Sequence, residues 1–400
     1  MPKFLTALLL LLTLGFSAVR PVGYLSPKRM AMGGAGVAVV NKEDSFLYNP
    51  AHAVKIKNSL TLPPLLLLPN VFYCDSETPD ALNKFSQGTA SENAIDAYRR
   101  IIPSSLGFGA NWAGGWVYTP DDYGTFAVSG YADGRLDIKV LNRLAPRLDG
   151  TAYFDFVFPA LTYASEVELA NYTDNPADLF LTELQIGLTL KKVTRMEIFD
   201  SDNGSDFSLS VIDFLDEDNP SGINARVGNG IGLDIGALGQ MDTFLGETKI
   251  GLTISNLFNG VQGTAYENMN SEELKTEEHF AQQLPVAMTL GLAVQASPFT
   301  NLGWLSFLQY ILPNAVYAAD LDIVTPDKSF FKRLHLGLEQ SYFSGLLDWR
   351  MGLNQGYPTM GLNCNLGWYH LGFTYYTEEL GAEVGRNPHS YYVLHSGFVF

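Results

Sequence analysis

The sequence is short of basic residues. It has 25 lysines and arginines against 42 aspartates and glutamates, a formal net charge of −17, and no run of more than two adjacent basic residues. A nucleic-acid partner requires basic clusters that neutralise phosphates. The composition therefore argues against nucleic acid, and acidic surface loops account for the excess of carboxylates.

Long apolar runs are also missing after the first 20 residues. A helix needs roughly 20 apolar residues to cross a bilayer, so we do not expect a helical membrane protein. The one early apolar core, Phe4 to Phe16, follows Lys3 and precedes Ser17 and Ala18. This layout is typical of a secretory signal peptide, which predicts that residues 1–18 are removed after export.

Residues that carry chemistry are few and scattered. The two cysteines, Cys74 and Cys364, lie far apart, and the sequence leaves open whether they pair in an oxidising compartment. The six histidines lack metal-ligand spacing, and the acidic run 200–206 lacks the calcium-loop pattern. A spatial Ser-His-Asp triad stays open, but no G-x-S-x-G is present. We predict no metal, cofactor or catalytic residue, and hence no enzyme.

Glycine (38), phenylalanine (25) and tyrosine (20) are abundant. From Ser105 onward, large apolar residues alternate with small, polar or charged ones, as Leu290 and Leu292 alternate with Thr289 and Gly291. Period-two alternation produces a strand with two different faces. An apolar face opposite a polar, glycine-rich face is typical of a membrane barrel with a narrow, plugged interior. A soluble sandwich would expose lysine, glutamate and threonine instead of glycine.

The last ten residues also alternate. One face of this strand consists of Tyr392, Leu394, Phe398 and Phe400. A terminal strand inside a membrane cannot leave an open edge, so we expect the sheet to close. The strand resembles the closing strand of bacterial outer-membrane barrels, and this resemblance implies that the four residues form a signal for the barrel-assembly machinery. An edge strand of a soluble sheet is the alternative.

Counting back from Phe400 predicts fourteen strands, an even number as in bacterial barrels. They lie near 105–118, 123–131, 136–141, 151–169, 181–191, 225–237, 247–257, 285–297, 315–324, 331–342, 347–354, 358–366, 368–376 and 391–400. If Phe400 lies at the periplasmic end, long outer loops are expected at 192–224, 258–284, 325–330 and 378–390. The segment 298–314 is too long for a periplasmic turn and predicts a short interfacial helix.

The segment before the barrel carries a more specific signature. Met-Gly-Gly-Ala-Gly-Val-Ala-Val at 32–39 and Tyr-Asn-Pro-Ala at 48–51 resemble the N-terminal signature of the FadL-like superfamily of outer-membrane proteins. That superfamily includes fatty-acid and hydrocarbon transporters and the PorV-like and TraF-like barrels. In its transporters the segment belongs to a hatch inside the barrel. The resemblance implies these hatch or gating residues: Met32, Gly33, Gly34, Gly36, Asn49, Pro50 and Ala51.

Physical chemistry supports these residue types in a hatch. Glycines allow close backbone approach or a positive φ, and Asn49-Pro50 predicts a turn. A phosphate loop is disfavoured because neither G-x-x-x-x-G-K nor the G-x-G-x-x-G spacing is present. Pro63 and Pro64 break the apolar run 60–68, which favours a linker or plug strand over a central wall strand. Short helices are expected between residues 79 and 100.

These observations predict an all-β fold, a transmembrane antiparallel β-barrel of about fourteen strands at residues 105–400. Residues 19–104 form the hatch and periplasmic segment. The resemblance implies passive transport of hydrophobic small molecules, such as long-chain fatty acids, across the outer membrane of a Gram-negative-type bacterium, with membrane lipid around the barrel. The alternatives are a PorV-like scaffold or secretion-associated barrel that binds partner proteins, and a soluble secreted β-protein.

Overall fold

The computed structural model describes residues 22–63, 68–88, 96, 100, 102–121, 123–141, 147–169, 181–199, 206–210, 224–243, 246–267, 276–296, 314–325, 329–380, 383–386 and 388–400. The predicted signal peptide and the residues 302–311 on which the interfacial helix was predicted lie outside this part of the chain. None of the helices in the described residues has the length and apolar character needed to cross a bilayer.

The described strands form one antiparallel sheet that closes on itself. They are β1 (Ser59–Leu62), β2 (Val71–Asp75), β3 (Ser104–Tyr118), β4 (Thr125–Leu141), β5 (Arg147–Glu166), β6 (Glu183–Phe199), β7 (Asp206–Ser210), β8 (Asn224–Thr243), β9 (Gly246–Glu267), β10 (Thr276–Gln283), β11 (Ala287–Ala296), β12 (Val316–Val324), β13 (Leu334–Tyr342), β14 (Leu347–Asn354), β15 (Tyr357–Leu366), β16 (Tyr369–Glu379) and β17 (Pro388–Val399). Closure occurs where β17 pairs with β1 and β2, which both pair with β3.

These strands fill fourteen places in the wall, because three places hold two strands each. β1 and β2 both lie between β17 and β3. β6 and β7 pair with successive parts of β5, and β11 and β10 with successive parts of β9. The predicted closed barrel of fourteen strands is therefore confirmed.

The predicted strand boundaries were wrong in two places, and the two errors cancel in the number of strands. The predicted strands 123–131 and 136–141 are the single strand β4. Asp133 and Arg135 fall in the gap between the two predicted strands, but both are buried on the inner face. The segment 59–75, expected to be linker or hatch, supplies a place in the wall, which consequently begins before residue 105. Pro63 and Pro69 lie between β1 and β2 and not within a strand.

Two outer loops are also shorter than predicted. The strands β6, β9 and β10 extend into the predicted loops 192–224 and 258–284. The helices of the described residues are short: α1 (Pro27–Ala31), α2 (Ala53–Ile56), α3 (Thr78–Ser86), and 3-10 turns at Ser45–Leu47, Pro50–His52, Phe331–Arg333 and Phe343–Gly345. α3 lies where short helices were expected.

The wall has an apolar outer face and a polar inner face. Tyr392 and Leu394 of β17 and the following Phe400 are exposed, whereas Tyr391 and His395 of β17 are buried. Other strands expose large apolar side chains in the same alternation, such as Ile186, Leu188 and Leu190 on β6. This is the surface that a transmembrane barrel presents to lipid. Cys74 and Cys364 are free thiols.

Candidate functional site: the hatch and the interrupted wall strand

Residues 22–58, here called the hatch, lie inside the barrel. Met32, Ala35, Ala38 and Ala51 are completely buried. They pack in one apolar cluster with inner-face residues of three wall strands, Leu238, Ala293 and Ala318. Protein interiors pack with few voids, so the hatch blocks the lumen at this level.

The hatch turns sharply at its glycine pair. Pro27 occupies the first turn of α1, where its missing N–H costs nothing, and the helix ends at Ala31. Gly33 and Gly34 follow with φ angles of 65° and 90°, a left-handed conformation that favours glycine. The guanidinium of Arg29 holds the turn by donating from Nε and Nη2 to the carbonyl oxygen of Gly34, at 3.1 and 2.9 Å.

Glycines of the wall make room for the hatch backbone. A Cβ added to Gly337 would lie 2.6 Å from the carbonyl oxygen of Met32, and one added to Gly236 would lie 2.8 Å from Pro50 Cδ. The wall glycines at which an added Cβ would meet backbone atoms of the hatch come from six strands: Gly187, Gly236, Gly251, Gly291, Gly337 and Gly352. The glycine-rich inner face seen in the sequence is therefore the surface on which the hatch rests.

Asp320 of β12 anchors the hatch through its backbone. Its Oδ2 accepts hydrogen bonds from the amides of Gly36 (2.8 Å) and Val37 (2.9 Å). Hydrogen bonds to a charged acceptor contribute about 1.5–3 kcal/mol each. Thr359 of β15 adds a third contact by donating from Oγ1 to the carbonyl oxygen of Ala31, at 3.0 Å.

A buried chain of charges forms a second anchor. Lys28 Nζ lies 2.8 Å from Glu339 Oε1, and Glu339 Oε2 accepts from Arg350 Nε at 2.5 Å. Arg350 also donates from Nη2 to Asp348 Oδ2 at 3.1 Å. Buried ions are tolerated when they are paired and hydrogen-bonded, and removing one partner is strongly destabilising. The chain therefore ties α1 of the hatch to β13 and β14.

Asn49 organises the second predicted motif. Its Nδ2 donates to the carbonyl oxygen of Val37 at 2.8 Å, and its Oδ1 accepts from the amide of Ala51 at 3.1 Å. His52 Nε2 lies 3.0 Å from the same Val37 oxygen. Burial lowers the pKa of His52 to about 3. Asn49 thus fixes the turn into the 3-10 helix that Pro50 begins.

The seven residues predicted from the N-terminal motif all lie in the hatch. Met32 and Ala51 pack in the same apolar cluster, and the motif's Asn49 contacts Val37 between the two stretches. Their role in gating stays a prediction. Sequence reasoning missed the wall anchors Asp320 and Glu339, because they are remote in the chain from the hatch residues that they bind.

The wall strand formed by β1 and β2 is interrupted. Leu62 pairs with Phe398 and Val71 with His395, so only two residues of β17 lie between these two pairs and the register breaks there. On the other side, Thr61 pairs with Gly115 and Val71 with Asn111, which leaves three residues of β3. We call this break in register between Leu62 and Val71, with the facing residues of β3 and β17, the seam. The adjacent prolines at 63 and 64 were the sequence signal for it.

Asn70, the residue before β2, connects both sides of the seam through hydrogen bonds. Its side chain donates from Nδ2 to the carbonyl oxygen of Ala113 and accepts at Oδ1 from the amide of Ala113. Its backbone oxygen accepts from the amide of Ser396 at 2.8 Å. One residue therefore bridges β3 and β17 where continuous strand pairing stops.

Two cavities adjoin the seam. A groove of about 360 Å³ has mainly apolar lining, which includes these exposed side chains of the outer face: Leu60, Leu62, Trp116, Phe156 and Phe158. A cavity of about 20 Å³ lies between hatch and wall, and its lining includes Asp44 and His395. The residues Thr61 and Ala113 line both. The seam is therefore the place where an apolar surface and a polar inner cavity meet.

A separate titratable cluster lies on the inner wall. Potential ligand atoms of Asp75, Asp137 and His389 lie within 4.8 Å of one another. Asp75 Oδ2 is 3.1 Å from His389 Nδ1 and accepts from Ser105 Oγ at 3.0 Å. Arg135 forms an ion pair with Asp137. These partners organise the cluster as a hydrogen-bonded ion-pair network. It is assembled from four strands, β2, β3, β4 and β17, so the sequence spacing did not reveal it.

No family model and no curated protein matches this sequence. The solved structures that match include the CymD monoaromatic hydrocarbon channel, with 13% identity, coverage of 96% of this chain and 98% of that chain, and a TM-score of 0.47. They also include a Pseudomonas aeruginosa FadL homologue, with 10% identity, coverage of 96% and 99%, and a TM-score of 0.47. The Pseudomonas putida toluene transporter TodX is 12% identical, with coverage of 96% and 98% and a TM-score of 0.40. At these TM-scores the likeness carries no information about a substrate.

Proposed function

We propose that this protein is an outer-membrane channel through which hydrophobic small molecules pass passively. The observation that carries the proposal is the interrupted wall strand beside a buried hatch, with an apolar groove along the seam. A closed barrel with an apolar outer surface suits the outer membrane. The resemblance of the hatch motif adds long-chain fatty acids as one class of cargo.

The hatch blocks the lumen, and this determines the route that a transported molecule can take. A molecule entering from outside meets the hatch, whose Met32 and Ala51 are completely buried, so it passes only if the hatch shifts or the wall opens. The seam is the weaker barrier, since the pairing register with β17 breaks there between Leu62 and Val71. An apolar molecule leaving through the seam would enter the groove and then the lipid, without exposure to water.

The hatch residues have packing and hinge roles in this proposal. Gly33 and Gly34 hold the left-handed turn, and a shift of the hatch would be absorbed there because glycine has the widest conformational range. Asn49 and Pro50 keep the second turn fixed. Transport of this kind uses no nucleotide and no catalytic residue.

Mass spectrometry of organic extracts from the detergent-purified protein tests the proposal. The control is a mock purification of an unrelated barrel. Enrichment of fatty acids or other long apolar molecules over the control is the expected result. A barrel without such molecules that co-purifies with one discrete protein would overturn the channel proposal and favour the PorV-like scaffold.

A further inference from the structure

Three neighbouring wall strands are much longer than a membrane requires. β6, β8 and β9 have 17, 20 and 22 residues, whereas β13 to β17 have 8 to 12. A tilted transmembrane strand needs about 9–11 residues. With Phe400 at the periplasmic end, neighbouring places of the wall alternate in direction, and β6 runs from the periplasmic side to the outside. The three strands therefore extend beyond the apolar layer.

Lys192 marks the place where β6 leaves this layer. The outer face of the strand before it is apolar, with the exposed side chains Ile186, Leu188 and Leu190. Lys192 takes the next outward position, while its neighbour Lys191 is buried on the inner face. It lies nine residues after Glu183, where the strand begins, a height of roughly 23 Å at about 3.4 Å per residue and a tilt of about 40°. The apolar band of such barrels is about 25 Å tall, so Lys192 is at the level of the outer head groups.

Three uncharged polar side chains lie beside Lys192 on the outer face. Strand pairing places Thr194 of β6 opposite Asn229 of β8, and Asn229 opposite Gln262 of β9. Asn229 is also the diagonal neighbour of Lys192, whose direct partner on β8 is Ile231. Diagonal neighbours lie within about 7–8 Å, in reach of long side chains. Lys192, Thr194, Asn229 and Gln262, here called the outer polar patch, thus form one continuous area across three strands.

The outer polar patch presents mainly hydrogen-bond donors. Thr194 Oγ1 donates to Asn229 Oδ1 at 2.7 Å, so this amide oxygen is occupied while the Nδ2 group keeps its two donors. Lys192 is exposed, and no ion pair or side-chain hydrogen bond joins it to another described residue. The carboxylates of the same parts of β6 and β8, Glu197 and Asp234, are buried on the inner face and paired with basic residues. The patch is therefore complementary to an anion.

We propose that the outer polar patch binds a phosphate group on the saccharide head of an outer-leaflet glycolipid of the lipid A type. Phosphate oxygens accept charge-assisted hydrogen bonds from lysine and amide donors. The exposed side chain of Met196, the next outward residue of β6, packs against the C–H groups of the sugar, and the acyl chains lie along Leu188 and Leu190 below. The site is on the outer surface of the wall, so it goes beyond the proposed channel function and does not depend on it.

Native mass spectrometry of the detergent-solubilised protein, titrated with lipid, tests this site. The probes are lipid A with two phosphates, phosphate-free lipid A with the same acyl chains, and phosphatidylglycerol. We expect the bisphosphorylated form to bind most tightly. Lys192→Gln should weaken its binding about tenfold, the effect of losing one charge-assisted hydrogen bond, and Asn229→Leu about fivefold. Binding of phosphate-free lipid A should be the same in both variants as in the wild type.

The control variant is Lys84→Gln, because Lys84 lies on α3 beside β3 and pairs with Asp80. It should bind all three probes like the wild type. Equal affinity of the wild type for phosphorylated and phosphate-free lipid A, or an unchanged preference in both patch variants, would overturn the site. Phosphatidylglycerol binding as tightly as bisphosphorylated lipid A would also overturn it, since the patch would then select negative charge alone. Heat-modifiable migration shows that each variant has folded.

Discussion

The side-chain amide of Asn70 forms two hydrogen bonds with the backbone of Ala113, one as donor and one as acceptor, each 2.9 Å long. Paired antiparallel strands use the same reciprocal arrangement between backbone groups. Asn70 therefore replaces a missing backbone partner on the β3 side of the seam. On the β17 side, the backbone carbonyl oxygen of Asn70 accepts a hydrogen bond from the amide of Ser396.

Replacing Asn70 with leucine should weaken the seam. Two buried backbone groups of Ala113 would lose their partners, at a cost of about 1–3 kcal/mol each. We expect a lower thermal unfolding midpoint and faster uptake of the cargo into liposomes that contain the variant. Asn58→Leu is the matched control, because Asn58 accepts a hydrogen bond at an exposed position away from the seam. Equal uptake and stability in both variants would show that Asn70 does not close the wall.

Removing the carboxylate of Asp320 should loosen the hatch. The Asp320→Ala variant loses two charge-assisted hydrogen bonds to Gly36 and Val37, together about 3–6 kcal/mol of attachment. Larger and more frequent current steps in planar bilayers are the expected readout, because ions pass when the hatch moves. Asp149→Ala, a change of the same type at a more exposed position on β5, should leave the current at the wild-type level. Current steps of the same size and frequency in the two variants would show that Asp320 does not anchor the hatch.

Valine at Gly34 should displace the hatch turn. A Cβ there would lie 2.5 Å from His335 Nδ1, and the φ of 90° is itself unfavourable for valine. Gly345→Val separates the two effects, since Gly345 has a φ of 87° but no atom within 4 Å of the added Cβ. We expect altered cargo flux and increased trypsin cleavage of the hatch in Gly34→Val only. Gly33→Val should behave like Gly34→Val, and unchanged flux in both would count against a gate at this turn.

Hatch attachment should weaken at low pH through His52. Its pKa is about 3 in the folded hatch and near 6.5 in water, so both states are neutral above pH 6.5. Below that pH only a released hatch takes up the proton, and at pH 5 the folded state is about 2 kcal/mol less favoured than at pH 7.5. The His52→Gln variant should lack this contribution. The thermal unfolding midpoints of the wild type and the variant, measured from pH 7.5 to pH 5, test this contribution. The same change of midpoint with pH in both proteins would refute the assignment to His52.

The sequence predicted the features that depend on local pattern. Alternation around Leu290 and Leu292 placed the lipid face correctly, since a period of two is enough to assign the two faces of a strand. The alternation pattern failed around Gly134, because the polar residues Asp133 and Arg135 face the lumen there and interrupt the apolar pattern. It also did not reveal the pairing of Lys28 with Glu339, residues 311 positions apart, because only the closed barrel brings such positions together.

Phe400 combines a backbone role with an exposed aromatic ring. Its amide and carbonyl pair with the backbone of Leu60 at 2.9 and 3.0 Å, which extends the contact between β17 and β1. Its ring is exposed and stacks beside Trp368, with centroids 6.2 Å apart. Two changes distinguish these roles. Phe400→Ser keeps the backbone pair and removes the ring, whereas deletion of Phe400 removes both.

If the assembly machinery recognises the terminal aromatic residue, both changes should lower the amount of heat-modifiable barrel in the outer membrane severalfold. If only the backbone pair with Leu60 matters, Phe400→Ser should assemble like the wild type and the deletion alone should fail. Phe343→Ser is the control, because Phe343 is another highly exposed aromatic residue, located in the turn between β13 and β14. Normal levels of heat-modifiable protein in both Phe400 variants would contradict the closing-strand argument as a whole, since neither the ring nor the terminal pair would then be needed.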